Sequence, residues 1–295
     1  MGMVEPSHFS DEQRLAFGRV AELYDRARPS YPAAVIDALL RYGGLGAGSR
    51  VVEVGAGTGK ATELLAARGL EVTAIEPSAG MAAVARVKLA RWPQVRIVES
   101  SFEDWIAPER FDAVVSVQAW HWVDPALRYA LAHRALSPGG MLAAVWSLPD
   151  WERCPERTAL SRAYRSAPVT LQPDFPMHPD SEPTRLASEW TAELAAAGGF
   201  GPGEVRRFPW SVVYSARAYT DLLQTHQDHI LLGSSQRAAL MSEIERAIES
   251  DGGRLELPLT TYLCLARRCE RGAGGTPHRS LVTPATAHTA SSTEA

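Results

Sequence analysis

Two hydrophobic rhythms take turns along this chain. Short apolar runs at 51–54, 71–75, 95–98, 113–117 and 141–146 read as strands buried on both faces. Between them, 60–68, 78–91 and 125–135 carry apolar residues at helical spacing, and 33–42 does the same ahead of the first strand. Gly69 is a predicted helix stop, GGLGAGS breaks the helix at 33–42, and SPGG (137–140) predicts a turn. Later helices are predicted at 184–197, 218–232 and 235–250, and later strands at 206–214 and 255–267, which brings the strands to seven. Near the start, 11–24 looks helical with Ser10 as N-cap. Strand and helix in alternation predict an α/β fold, a doubly wound, mostly parallel seven-stranded sheet of Rossmann-like type. The rhythm fails from Leu148 to Pro183, a proline-rich stretch too long for an ordinary loop and read as a lid. Residues 270–295, rich in Gly, Thr, Ser and Ala, read as a disordered tail.

Composition narrows the function classes. The 295 residues suit one large or two small domains, and 45% hydrophobic content supports a sizeable core. The net charge of −4 and the lack of a basic run argue against nucleic acid as substrate. No charged-then-apolar signal pattern and no apolar stretch of about 20 residues is present, so neither export nor a membrane is expected. Cys154, Cys264 and Cys269 lack metal-ligand spacing, and a reducing cytoplasmic setting is the expectation.

Chemistry concentrates in VVEVGAGTG, Val51 to Gly59. Gly55, Gly57 and Gly59 make a turn whose backbone faces a ligand; a Cβ there would obstruct it or force a positive φ on an unwilling residue. Glu53 lies inside the strand, where a carboxylate must be paired or meet a ligand. Glu76, at the end of the next strand, follows about 20 residues on and can accept ribose hydroxyls. The third glycine comes one residue earlier than in the G-x-G-x-x-G dinucleotide fingerprint, and Lys60 takes the sixth position. A ligand with an amino-acid moiety and a sulfonium has no pyrophosphate to cradle, and Glu53 could receive its ammonium. These details favour S-adenosylmethionine.

With VTAIEPSAGM, FDAVVSVQAWHWVDP and LSPGGMLAAVW, the chain resembles the class I S-adenosylmethionine-dependent methyltransferases over about 17–268. The YDRARPSYP segment (24–32) and HWVD (121–124) are similar to the small-molecule branch that includes trans-aconitate methyltransferase-like proteins. The resemblance implies an antiparallel last strand and a helical cap. It divides the chain into an N-terminal cap segment (1–32), an S-adenosylmethionine-binding core (33–147), a lid (148–183), a C-terminal part of the sheet (184–269) with cap helices at 216–250, and the tail. It also implies methyl transfer to a small organic acceptor, with a carboxylate or hydroxyl oxygen preferred over carbon or nitrogen.

Cofactor contacts are expected from Glu53, Gly55, Ala56, Gly57, Gly59 and Glu76. Pro77, Met81, Ser101, Phe102 and Glu103 would border the adenine, although Ser101-Phe102 replaces the Asp-Ala pair common there. Gln118 follows the fourth strand, and Tyr24, Arg28 and Tyr31 would close over the methionine end. Trp120 and Trp122 are expected to wall the substrate pocket, with His121 as candidate general base because imidazole titrates near neutrality. His226 and His229, three apart on one predicted helix face, would line that pocket from the cap. With Asp228 they lack a further ligand, so no metal is expected. Two alternatives stay open: an S-adenosylmethionine-binding protein catalysing a non-methylating reaction such as a cyclisation, and a nicotinamide-dependent oxidoreductase. The sequence does not specify an oligomeric state.

Overall fold

The computed structural model describes residues 17–169, 171, 176–181 and 184–269. Ser10, the first part of the predicted 11–24 helix and the tail at 270–295 lie outside the described residues. The elements in chain order are α1 (Ala21–Ala27), α2 (Ala33–Gly43), β1 (Arg50–Val54), α3 (Lys60–Ala66), β2 (Glu71–Ile75), α4 (Ala79–Leu89) and β3 (Val95–Val98). There follow β4 (Phe111–Val117), α5 (Arg128–Ala135), β5 (Leu136–Pro149), α6 (Arg157–Ser166), α7 (Leu186–Ala197), β6 (Glu204–Ser215), α8 (Ala216–Leu223), α9 (Gln227–Ile230), α10 (Ser234–Ser250) and β7 (Arg254–Arg267).

The seven strands form one sheet in the order β3-β2-β1-β4-β5-β7-β6. Every pair from β3 across to β5 is parallel, whereas β7 runs antiparallel to both β5 and β6. This is the expected doubly wound sheet with its antiparallel last strand. Period-two alternation decides the packing. Val52, Val54, Val114, Leu142, Ala144, Cys264 and Ala266 face a core closed by Tyr129 and Ala132 of α5 and Trp190 and Leu194 of α7. Their neighbours Val51, Val115, Ala143, Val145, Leu263 and Leu265 face the opposite core, closed by Val35, Ile36 and Leu39 of α2 and Leu65 of α3.

A third apolar cluster sits beyond the sheet's carboxyl edge. The β6–β7 ladder pairs Glu204 with Leu265 at one end and Ser215 with Arg254 at the other, so the hairpin extends past the parallel strands. Leu255, Leu257 and Leu259 on that extension pack with Leu160 and Tyr164 of α6, Tyr219 and Leu222 of α8, and Leu240 and Ile244 of α10.

Three local expectations are corrected. The stretch from Leu148 to Pro183 contains α6, whose Leu160, Ala163 and Tyr164 fall on one buried face. SPGG is no plain turn: β5 begins at Leu136, and the register with β4 shifts between Phe111 and Ala113, so the segment is an irregular stretch within the strand. The predicted 218–232 helix breaks into α8 and α9. The Thr225 hydroxyl donates to the Leu222 carbonyl at 2.6 Å, and Arg28 donates to the Thr225 carbonyl at 3.0 Å. Those bonds occupy acceptors a continuous helix would use. Among the described residues no helix is long and apolar enough to cross a membrane, and no cluster of His, Cys, Asp and Glu could hold a metal ion.

Candidate active site

The carboxyl ends of β1, β2, β4 and β5 open into a cavity of about 800 Å³, with the third apolar cluster on its far side. Open α/β sheets collect ligands at this edge. The turn after β1 forms the floor. Gly55 (φ +71°) and Gly57 (φ +58°) are both left-handed but for different reasons. A Cβ on Gly55 would collide with that of Ala119, so this glycine permits the close approach of two loops. A Cβ on Gly57 would meet no protein atom within 4 Å. Its N–H donates to Glu76 Oε2 at 2.8 Å. Gly59 does not line the cavity and is corrected as a ligand contact. It caps α3 at φ +80°, and a Cβ there would strike Leu89 of α4 at 2.6 Å.

Two buried carboxylates face the cavity. Glu76 is fixed by two backbone donors, the Gly57 N–H and the Ser78 N–H, the latter to Oε1 at 2.9 Å. Burial raises its carboxyl above the ordinary value, and those two bonds oppose the rise. Each oxygen keeps further lone-pair capacity for a ligand hydroxyl. Glu53, only 1% exposed, accepts from the Thr62 hydroxyl at 2.6 Å. Burial pushes its carboxyl up to about 8; the Thr62 bond acts against this and the charge of Glu76 adds to it. An acid so desolvated is stabilised as a carboxylate only when a cation arrives.

Met81, Pro77, Ser101, Phe102 and Glu103 all line the cavity beside Glu76. The Ser101 hydroxyl is engaged with Asp104, donating to Oδ2 at 2.7 Å, and Glu103 accepts from the Asp124 N–H at 3.0 Å. Tyr24, Arg28, Tyr31, Ala56 and Gln118 line it too. Burial raises the Tyr31 phenol above its ordinary range. Arg28 lies 4.9 Å over the Tyr24 ring and donates through Nε to Thr225 Oγ1 at 2.8 Å. Lys60 is drawn toward Asp25, which also pairs with Lys88 and accepts from Thr58. Gln118 has φ +58°, the single positive value among the described non-glycine residues. Its amide donates to the Ser147 carbonyl at 3.0 Å, which holds the strained backbone in place.

The aromatic loop divides. Trp122 lines the cavity. Trp120 does not: it is 1% exposed and packs in the core against Phe102 and Tyr129, with Arg128 over its ring. Its expected place in the pocket wall is therefore corrected. His121 lines the cavity, and its Nδ1 accepts from Trp146 Nε1 at 3.2 Å. The residue is exposed toward the space it lines. Removal from bulk water, with the Arg128 charge, pushes its imidazole down to about 4. A neutral imidazole whose Nδ1 accepts carries its proton on Nε2 and has no second lone pair to offer. The engagement of its Nδ1 lone pair by Trp146 argues against the general-base expectation.

His226 and His229 do not share a face. His226 precedes α9 in extended conformation and lines the cavity. Burial, with Arg28 and His229 nearby, holds its imidazole well below the ordinary value. His229 is fully buried behind the wall, bonded through Nδ1 to Asp228 Oδ1 at 2.9 Å and through Nε2 to the Tyr164 hydroxyl at 2.8 Å. Asp228, considered in the sequence only as a metal ligand, lines the cavity instead. Thr62, Trp146 and Met177 are further participants that the motif reading missed. Trp146 was open to discovery, as the predicted last residue of a strand at the ligand edge.

Comparison with known proteins follows the same outline. A family model described as "Methyltransferase domain" matches residues 52–144. An uncharacterized methyltransferase of Mycobacterium tuberculosis (strain ATCC 25618 / H37Rv) is 43% identical over 140 residues, 47% of this chain and 55% of the relative. A trans-aconitate 2-methyltransferase of Paracidovorax citrulli (strain AAC00-1) is 34% identical over 151 residues, 49% of this chain and 53% of the relative. The chain thus spans about half the length of the curated relatives it matches. Among solved structures, a Haemonchus contortus phosphoethanolamine N-methyltransferase 2 shares the fold with a TM-score of 0.51 at 18% identity, over 85% of this chain and 58% of that one. The YcgJ protein of Bacillus subtilis does so with a TM-score of 0.51 at 15% identity, over 80% and 99%. Residues 52–144, which carry the glycine turn and the two facing carboxylates, are the part of this chain that matches the methyltransferase-domain model.

Proposed function

We propose that this protein transfers a methyl group from S-adenosylmethionine to a small organic acceptor, with oxygen as the preferred acceptor atom. The observation that carries the proposal is Glu53. A carboxyl pushed up to about 8, with one hydroxyl as partner, faces the cavity beside the Gly55–Gly57 turn. That arrangement fits a ligand carrying an ammonium group, and Glu76, on the neighbouring strand, fits a ribose diol. Phe102 and Met81 supply an apolar wall for the adenine, and Arg28 is the cation placed to meet the ligand's carboxylate. Bound there, S-adenosylmethionine supplies a methyl on a positively charged sulfur, open to in-line displacement.

The protein's own contribution is position and exclusion of water. The glycine turn and both carboxylates orient one reactant. Trp122, Met177 and the α9 residues enclose the space left for the other. Such orientation can supply several kcal/mol of a two-reactant barrier, up to about 7–11 in the best intramolecular cases. The preference for oxygen rests on relatives named trans-aconitate 2-methyltransferase.

Calorimetric titration with S-adenosylmethionine and S-adenosylhomocysteine, beside a Glu76→Ala variant, tests the reading. Micromolar binding weakened by about 1–3 kcal/mol in the variant is expected for lost charged hydrogen bonds. Absence of binding to both compounds would sink it.

A further inference from the structure

The part of the cavity left for the acceptor has a distinctive charge inventory. Only two cationic side chains, Arg28 and Lys60, are among the described residues of the lining. Both come from the segments assigned to the cofactor. Lys60 is drawn toward Asp25, and Arg28 spends Nε and Nη2 on Thr225. The cap contributes an acid, Asp228, and a neutral imidazole, His226.

Asp228 is held by a built array. The buried His229 ring bonds to Asp228 Oδ1 on one side and to the Tyr164 hydroxyl on the other, at 2.9 and 2.8 Å. Both nitrogens of His229 are thereby occupied, so the ring cannot turn away. Asp228 itself is 8% exposed, an acid with a protein partner on one oxygen, and it lines the cavity. His226 Nε2, next to it, is buried with no hydrogen-bond partner among the described residues. The free oxygen of Asp228 is an acceptor that calls for a donor on the ligand, and His226 Nε2 offers a further polar contact. The Asp228 carboxylate also repels a ligand carboxylate.

We infer that the acceptor presents an O–H or N–H group to Asp228 from a largely apolar body, and that it is not a polycarboxylate. The inference rests on the methyl-transfer reading and narrows its acceptor class. It departs from the tricarboxylate named for some of its relatives, so that a hydroxyl oxygen or an amine nitrogen replaces the carboxylate oxygen on which the analogy with them rests. Leu231, Met177 and Trp122 supply the apolar walls for that body. His229 and Tyr164 act through Asp228 as positioning residues.

The test uses the full chain and begins with S-adenosylhomocysteine binding, which stands or falls with the methyl-transfer reading alone. With that compound bound, phenol, 1-naphthol, benzyl alcohol and phenethylamine are titrated in parallel with citrate, succinate and trans-aconitate. S-adenosylmethionine then replaces it, and turnover is read as S-adenosylhomocysteine release. Binding and turnover confined to the hydroxyl or amine probes are expected, and the two arms show which donor is used. Asp228→Asn should lower kcat/KM for the accepted probe roughly 10- to 100-fold, the range of a lost charge-assisted hydrogen bond. Its retained S-adenosylhomocysteine binding reports that it folds. Tyr164→Phe should raise KM and leave that binding unchanged. Turnover of a polycarboxylate, rejection of every hydroxyl and amine probe by protein that binds S-adenosylhomocysteine, or an unchanged kcat/KM in Asp228→Asn would each overturn the inference.

Discussion

Glu53 shows how a single residue couples ligand chemistry to stability. Its folded carboxyl titrates near 8 against an ordinary value of 4.5. Between those values the native state holds a proton that the unfolded state has released, so stability falls as pH rises through the window. The advantage is complete below the ordinary value and gone above the raised one. Glu53→Gln removes the ionisation. Relative to the parent it should gain about 1–3 kcal/mol at pH 8.5 and little at pH 5, as urea unfolding at both pH values would reveal. The same variant should bind S-adenosylmethionine less tightly. In the parent, binding between pH 6 and 8 should release a proton, detectable by calorimetry in buffers of different ionisation enthalpy. This residue is legible in the sequence, because an acid inside an apolar strand, two positions before a glycine turn, has to be paired or to meet a ligand. The opposite holds for His121. Its role depends on the Trp146 indole, a partner 25 residues away that no local pattern announces.

At the level of elements, the glycine turn divides its labour in a way that spacing alone conceals. Gly55 makes room for the loop carrying Ala119, Gly57 keeps the floor of the cavity open, and Gly59 admits α4 against α3. Gly55→Ala should cost about 2–4 kcal/mol of stability, from the collision together with left-handed strain. Gly57→Ala should cost only the strain, about 1 kcal/mol, while weakening cofactor binding. Thermal unfolding and ligand titration on the two variants would separate the effects. Elements whose apolar pattern is local were readable: β1, β2, β3 and α2 lie within one or two residues of their predicted ends. Those decided by distant contacts were not. The break between α8 and α9 depends on Arg28 reaching Thr225 across 197 positions, and it is what sends His226 and His229 to different places. Helix α6 went unread because its surrounding prolines masked a buried stripe of Leu160, Ala163 and Tyr164.

Over the whole molecule, three apolar clusters serve one cavity, two on the faces of the sheet and one beyond its edge. Leu160 sits at 0% exposure in the third. Leu160→Ala should destabilise by about 2–5 kcal/mol, with hydrogen exchange accelerated first in α6, α8 and α10 and last in β1 and β4. Uniform acceleration across the sheet would show that the third cluster has no independence. The sheet order carries a further consequence for how the chain is made. Among the described residues β7 is the single sheet neighbour of β6 and also pairs with the outer side of β5. Synthesis proceeds from the N-terminus, so a ribosome delivers β5 and then β6 well before the strand that joins them. Until residues 254–267 emerge, the outer edge of β5 and the whole of β6 lack the strand that pairs with them, the condition under which strands seek foreign partners. Completion of this side of the sheet therefore waits for β7, and chaperone protection is needed most in the interval between β6 and β7.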